Sequence, residues 1–355
     1  MQTSTQRSLE DGPLPRMFVL ELTRHCNHHC RHCYAVWGAP PAPGKPGADG
    51  EMTTREICEL VDCLRAEAPV ETIALSGGEP TLRRDLPEIT AFLRERDITP
   101  VIISNGSLLT AEKIRSLRDA STFEVTLFSY RPAVHDQLAG RRNAWTDAVD
   151  AMVNLRNAGR DFVVVFVATR LNYMDLLKTA ELAIAVGAYG LMYNRVNLSA
   201  HNIGHADQLL PSPRMIQGNL DTLEEIAEKY SLSIAVSVVV EPCVVDVRRY
   251  RHIHFGWCPL AGENAYFTID PSGNIRICNH SPVVLGNIRH GGFGAIYRNH
   301  PYVQEFRDTW PAECAGCDPE LKEMCRGGCK AAAEQCYGTL ARVDPFVTLS
   351  REQMD

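Results

Sequence analysis

Cys26, Cys30 and Cys33 stand at C-x3-C-x2-C spacing within His25 to Tyr34 (HCNHHCRHCY). Three thiolates on one tight loop can hold three corners of a cubane iron–sulfur cluster and leave the fourth iron without a protein ligand, open to a substrate. Zinc is the alternative that His25, His28, His29 and His32 invite. A closed zinc site usually takes its remaining ligands from a second paired motif at finger-like spacing, however, and none follows closely. Further on, Ser76-Gly77-Gly78-Glu79-Pro80 offers glycines that let backbone approach a ligand and a carboxylate that suits an ammonium group. Alone, that stretch also reads as a strand-ending turn. A second concentration of thiols, Cys258, Cys278, Cys314, Cys317, Cys325, Cys329 and Cys336, holds seven of the thirteen cysteines. The total is odd and no export signal precedes it, so metal ligation or redox chemistry is the expectation rather than disulfides.

The elements that must position these residues follow from hydrophobic periodicity. Met17 to Thr23 is a short buried strand that stops at the cysteine loop, and Pro40 to Gly50 is irregular. Thr53 with Glu56 forms a capping box ahead of a helix whose apolar face is Ile57, Leu60, Val61 and Leu64. Cys58 and Cys63 on that helix are expected core residues. Strands recur at 71–76, 99–104, 123–128, 162–169 and 191–196, with helices at about 85–96, 111–119, 145–158, 173–186 and 213–230 between and after them. Repeated strand-then-helix units imply a parallel sheet wound in one hand, and the ~220 residues fall short of the ~250 typical of a full eight-unit barrel. The fold class is therefore α/β, a partial (β/α)6 TIM-like barrel with a small cysteine-rich carboxy-terminal domain. Chemistry should collect where the strands end. The expected divisions are a flexible segment 1–16, the barrel 17–235, a linker 236–257, the cysteine-rich domain 258–345 and a tail 346–355. That last domain has little helix-forming sequence before its final segment and few aliphatics, so bound metal should help hold it together.

The chain has 355 residues, 45% hydrophobic and 22% charged, with a formal net charge of -7. This excludes fibrous and wholly disordered classes and argues against a nucleic-acid surface, which normally shows a clustered basic excess. No stretch reaches the ~18 to 20 apolar residues of a membrane span, and the cytoplasm is the expected location.

The cysteine loop resembles that of the radical S-adenosylmethionine (radical SAM) enzymes, whose defining C-x3-C-x2-C follows the first strand of a partial barrel. The aromatic residue usual before the third cysteine is here His32. Gly77, Gly78, Glu79 and Pro80 match the family motif that contacts the methionine amino group. The resemblance also implies cofactor contacts at Ser104 and Asn105, at Thr126 in place of a ribose-binding Ser, and at an arginine near Tyr130 to Gly140. Many relatives carry Arg where this chain has Ala139, so Arg141 and Arg142 are the candidates. Arg170, Asn194 and Arg195 could line the same mouth.

The carboxy-terminal set resembles the SPASM extension, which runs C-x(9-15)-G-x4-C, C-x2-C-x5-C-x3-C and a final Cys. Cys258, Gly273 and Cys278 fit, and seven residues rather than five separate Cys317 from Cys325. The resemblance implies an outer 4Fe-4S cluster on Cys314, Cys317, Cys325 and Cys336, and an inner one on Cys258, Cys278 and Cys329. The inner set is one ligand short; Cys243 could supply it, could be a buried thiol outside any cluster, or could leave an iron open. Where some relatives use an Asp base, this chain has Asn279 and then His280, so no base is assigned. In such enzymes S-adenosylmethionine binds the open iron and is reductively split to a 5'-deoxyadenosyl radical, which abstracts a substrate hydrogen. Implied partners are a peptide substrate, or a small-molecule antibiotic intermediate such as an aminoglycoside or nucleoside sugar, and an electron donor such as flavodoxin or ferredoxin. With only sixteen residues before the first strand, a separate peptide-recognition protein is expected. A reading of another class is a non-catalytic metal-binding scaffold.

Overall fold

The computed structural model describes residues 14–37, 50–258 and 265–351. Residues 40–49 of the expected irregular segment, most of segment 1–16 and the last four residues of the expected tail lie outside them. Eleven strands form one sheet among the described residues: β1 (Met17–Glu21), β2 (Thr72–Ser76), β3 (Thr99–Ser104), β4 (Thr122–Thr126), β5 (Phe162–Ala168), β6 (Gly190–Arg195), β7 (Ser233–Val236), β8 (Ile253–Phe255), β9 (Tyr266–Ile269), β10 (Asn274–Arg276) and β11 (Gly286–Asn287). Their order is β11-β10-β9-β1-β2-β3-β4-β5-β6-β7-β8, parallel from β9 through β8 and antiparallel at β10 and β11. The sheet is open, with β8 and β11 at its edges, as a partial barrel requires.

Helices cross over between the parallel strands: α1 (Thr54–Glu67), α2 (Leu86–Arg94), α3 (Ala111–Ser116), α4 (Pro132–Ala139), α5 (Ala144–Asn157), α6 (Leu176–Val186), α7 (Ala206–Leu209) and α8 (Pro213–Tyr230). Strand alternation feeds two faces. Phe18 and Leu20 of β1 and Phe123 and Val125 of β4 enter one core with Leu60 and Leu64 of α1 and Met152 and Leu155 of α5. Glu21 and Thr126 point the other way, Glu21 pairing with Arg276 on β10 and Thr126 reaching the central cavity.

Several expectations change. Residues 236–257 are not only a linker, because β8 lies within them and extends the parallel run. The carboxy-terminal region carries short helices, α9 (Phe293–Asn299), α10 (Pro301–Asp308), α11 (Pro319–Cys325) and α12 (Lys330–Tyr337). Proline at the first position starts α10 and α11, a signal hidden by their brevity. The expected tail begins inside α13 (Pro345–Arg351). The same region makes up for scarce aliphatics with aromatics: Phe293 packs edge-on against Phe18 at 5.0 Å and Phe267 at 5.2 Å, joining the barrel core. Cys58 is half-buried and Cys63 exposed, so neither is a core residue; α1 buries Ile57, Leu60, Val61 and Leu64 instead.

Candidate functional site

The cysteine loop leaves β1 and is clamped from both sides by backbone. Gly78 N donates to Thr23 O at 2.7 Å and Glu79 N to His25 O at 2.8 Å. A Cβ on Gly78 would fall 2.1 Å from His25 O, and one on Gly77, whose φ is +126°, 2.4 Å from Thr23 O. These glycines thus serve close approach to the cysteine loop itself, where the sequence suggested approach to a ligand. On the other side His29 N donates to Ala139 O at 2.9 Å, and Gly140 leaves no room for a Cβ beside His29 O. Glu51, which the sequence did not single out, accepts from Thr23 Oγ1 and Arg24 N, both at 2.8 Å. Its role depends on a loop contact across 28 residues, which no local pattern announces.

Glu79 is buried, and its carboxylate accepts from Thr81 Oγ1 at 2.5 Å, Ser104 Oγ at 2.9 Å and Asn105 N at 2.8 Å. Asn105 Nδ2 continues to Asn27 Oδ1 at 2.8 Å and lies 3.9 Å from Cys26 Sγ. Glu79, Ser104 and Asn105 therefore brace the loop; they do not line the central cavity. Pro80 opens a single buried turn of 3-10 helix at Pro80–Leu82 that carries Thr81 under Glu79. Arg141 pairs with Asp147 at 2.7 Å and donates toward His28 Nε2 at 3.3 Å. Burial, with Arg141 second, pushes His28 down to about 4. Burial likewise raises the thiols of all three loop cysteines, Cys26 to about 12.

Cys30 and Cys33 form one wall of a cavity of about 770 Å³, with His32, Tyr34 and Thr126 beside them. Cys258, Cys278 and Cys329 line the same cavity. The two walls touch: Tyr34 stacks on His280 at 4.2 Å between ring centres and accepts from Asn279 Nδ2 at 3.0 Å. Asn197 Nδ2 reaches Cys329 Sγ at 3.3 Å and His280 Nδ1 at 3.0 Å, while its Oδ1 is buried without a partner. His32 Nδ1 is in the same condition. Such groups are rare unless a ligand satisfies them. Arg195, expected as a mouth residue, does reach the cavity but is wholly buried and paired with Glu241 and Asp344. Asn194 also lines the cavity, whereas Arg170 donates to Leu210 O at 2.7 Å and does not.

A smaller apolar cavity of about 110 Å³ gathers Cys314, Cys317 and Cys325 together with Cys243. Cys336, expected there, does not line it, and Cys243 is with this set and not with Cys258, Cys278 and Cys329. Among the described residues no three His, Cys, Asp or Glu side chains converge tightly enough to hold one metal ion. A cubane cluster takes thiolate ligands, the donor type that Cys30 and Cys33, Cys258, Cys278 and Cys329, and Cys314, Cys317 and Cys325 present on these two cavities.

A family model described as the Radical SAM superfamily matches residues 20–183, and one described as an iron-sulfur cluster-binding domain, SPASM, matches residues 258–329. The chain belongs to the radical SAM superfamily. As a radical SAM/SPASM protein it is an enzyme that uses 4Fe-4S clusters and S-adenosylmethionine. Among curated relatives, the AdoMet-dependent heme synthase of Oleidesulfovibrio alaskensis is 26% identical across 96% of this chain and 89% of its own length. The PqqA peptide cyclase of Granulibacter bethesdensis is 27% identical across 95% of this chain and 88% of its own. A crystal structure of Streptococcus suis SuiB bound to precursor peptide SuiA has the same fold, with a TM-score of 0.73 at 14% identity over 94% of this chain and 76% of that one. No helix among the described residues of this radical SAM chain is long and apolar enough to cross a membrane.

Proposed function

We propose that this radical SAM/SPASM enzyme modifies a residue of a ribosomally made peptide by hydrogen abstraction, inside the cavity that Cys30 and Cys33 share with Cys258, Cys278 and Cys329. That shared cavity is the observation that carries the reading. Cys26, Cys30 and Cys33 would hold the first cluster, and the carboxy-terminal cysteines the auxiliary ones. When bound, the reduced cluster and S-adenosylmethionine supply a 5'-deoxyadenosyl radical that takes a hydrogen atom from the substrate.

The chain's own residues then position reactants and exclude water. Thr126 and His32, on the cavity wall, are the groups here able to meet the cofactor, and the unpartnered His32 Nδ1 supports that role. Glu79 braces the loop through Thr81, Ser104 and Asn105, and its Oε2, which takes a single donor from Asn105 N, keeps an acceptor site for an ammonium group. Asn197 Oδ1 offers an acceptor that a peptide N–H would satisfy. Peptide as substrate is supported by the PqqA peptide cyclase relatives and by the SuiB fold, seen with its precursor peptide. Relatives named heme synthases favour a second reading, a small-molecule substrate, and the cavity is within the ~300 to 1,000 Å³ common for such sites. Soluble electron donors of the flavodoxin or ferredoxin type, a separate peptide-recognition protein and a cytoplasmic location belong to this proposal.

The test is anaerobic reconstitution with iron and sulfide, then dithionite, S-adenosylmethionine and deuterium-labelled substrates. Label passing from a peptide into 5'-deoxyadenosine is the expected result. Label passing only from a small molecule selects the second reading. No 5'-deoxyadenosine under any condition returns the chain to the scaffold class.

A further inference from the structure

Resting on the cluster-enzyme reading above, we propose that the outer auxiliary cluster is held by Cys243, Cys314, Cys317 and Cys325, with Cys243 taking the place expected of Cys336. The cavity of about 110 Å³ is walled by those four cysteines and closed by Leu321, Val343 and Val347. Cys243 sits in the Glu241-Pro242-Cys243 turn that follows β7, and Glu241 and Pro242 line the same space. Val244, the residue after Cys243, and Cys317 both pack against the apolar cluster of Cys314, Val343 and Val347, so the turn and the C-x2-C segment share one small core.

Cys336 does not line that cavity. Cys329 caps α12 and Cys336 lies near its far end, seven residues on, which at about 1.5 Å per helical residue carries it roughly 10 Å away. There it packs against the apolar core containing Val240, Val245 and Phe346. The chain beyond α12 does return to the outer cavity, but it brings Val343 and Val347 and no thiol. A ligand for the fourth iron therefore has to come from the other direction along the chain, and Cys243 is there. Each thiol would release its proton to solvent on ligation. With Cys243 assigned to the outer set, Cys258, Cys278 and Cys329 are the three cysteines lining the main cavity on the auxiliary side.

The experiment uses full-length protein in a background with Cys26, Cys30 and Cys33 all changed to Ala, so that only auxiliary iron is counted. Cys243→Ala and Cys336→Ala are each added to it, reconstituted with iron and sulfide, and compared by iron and sulfide content and by Mössbauer and EPR spectra. Cys336→Ala is expected to match its parent. Cys243→Ala is expected to lose roughly half the auxiliary iron, about four atoms per chain, or to show the signal of a three-iron cluster. Alkylation of unmutated protein supplies a readout free of folding effects: Cys243, exposed in the apo-chain, becomes resistant to iodoacetamide once iron and sulfide are loaded.

Loss of iron from Cys336→Ala, alone or alongside Cys243→Ala, overturns the proposal. So does full iron in both variants, or unchanged alkylation of Cys243. In those cases an unmutated chain that still forms 5'-deoxyadenosine leaves the enzyme reading standing. A wild-type chain that takes up no cluster overturns both.

Discussion

Arg195 is wholly buried, 3.1 Å from Glu241 and 2.7 Å from Asp344, and Asp344 Oδ2 also accepts from Cys329 N at 3.0 Å. One guanidinium thereby ties the end of β6, the turn before Cys243 and the start of α12. Removing it strands two carboxylates in the interior, and breaking buried pairs costs about 3–5 kcal/mol. Arg195→Met should lower stability by that amount in urea unfolding of the apo-chain and reduce auxiliary iron on reconstitution. A second residue gives a pH signature. Burial alone raises the Glu124 carboxyl from 4.5 to about 7. A raised folded value means its stabilising contribution is complete below about 4.5 and is lost as pH climbs through about 7. Glu124→Gln should remove this loss, which is worth up to about 3 kcal/mol, so the gap between wild type and variant is smallest at pH 4 and widest by pH 8 in thermal unfolding. At this scale the sequence disclosed whatever is coded by local spacing: the Cys26, Cys30, Cys33 loop and the glycines that support it. It named Arg195 but not its partners, because Glu241 is 46 residues away and Asp344 is 149.

Among the elements, α1 shows what a local signal can specify. Thr53 Oγ1 accepts from Glu56 N at 3.3 Å, and Glu56 Oε2 accepts from Thr53 N at 2.8 Å, the reciprocal box expected from residue types alone. Thr53→Ala should cost about 1 kcal/mol, seen as a small drop in melting temperature with iron loading unchanged, because the box faces solvent and touches no cysteine. By contrast α4 was not legible as a helix: its eight residues carry Pro132 at the start and polar His135, Asp136 and Gln137 within. Its structural value is tertiary, since the carbonyl of Ala139 fixes His29 in the cysteine loop. The strand ends shifted for a related reason. Leu127 and Phe128 continue β4's apolar run in sequence, but Phe128 leaves the ladder, where its N donates to His135 Nδ1 at 3.1 Å. Apolarity marks burial, and it does not mark where hydrogen-bonded pairing stops.

At the scale of the whole molecule, the sheet joins the two cysteine-rich regions. β9 pairs in parallel with β1, setting Met17 opposite Tyr266 and Leu20 opposite Ile269. The strand that launches the first cysteine loop is thus flanked by the strand that follows Cys258, and no sequence pattern announces a pairing across some 250 residues. The consequence is that one cavity meets thiols of both regions, Cys30 and Cys33 from the first and Cys258, Cys278 and Cys329 from the second. Val167 of β5 lines that cavity, is only partly buried, and packs on the same small apolar cluster of Phe128, Leu138, Ala139 and Ala144 as Cys30. Val167→Trp would place an indole inside the cavity, while Gly77 and Gly78 keep their backbone contacts with Thr23 and His25. An overpacking mismatch costs about 1–3 kcal/mol, which at 1.4 kcal/mol per decade is roughly a five- to hundredfold loss. Substrate conversion should fall by that factor, while 5'-deoxyadenosine formed without substrate stays near wild type and iron content is unchanged. Parallel loss of both activities would place Val167 in the cofactor's site instead of the substrate's, and unaffected conversion would mean that the reaction occurs outside the space between the two thiol walls.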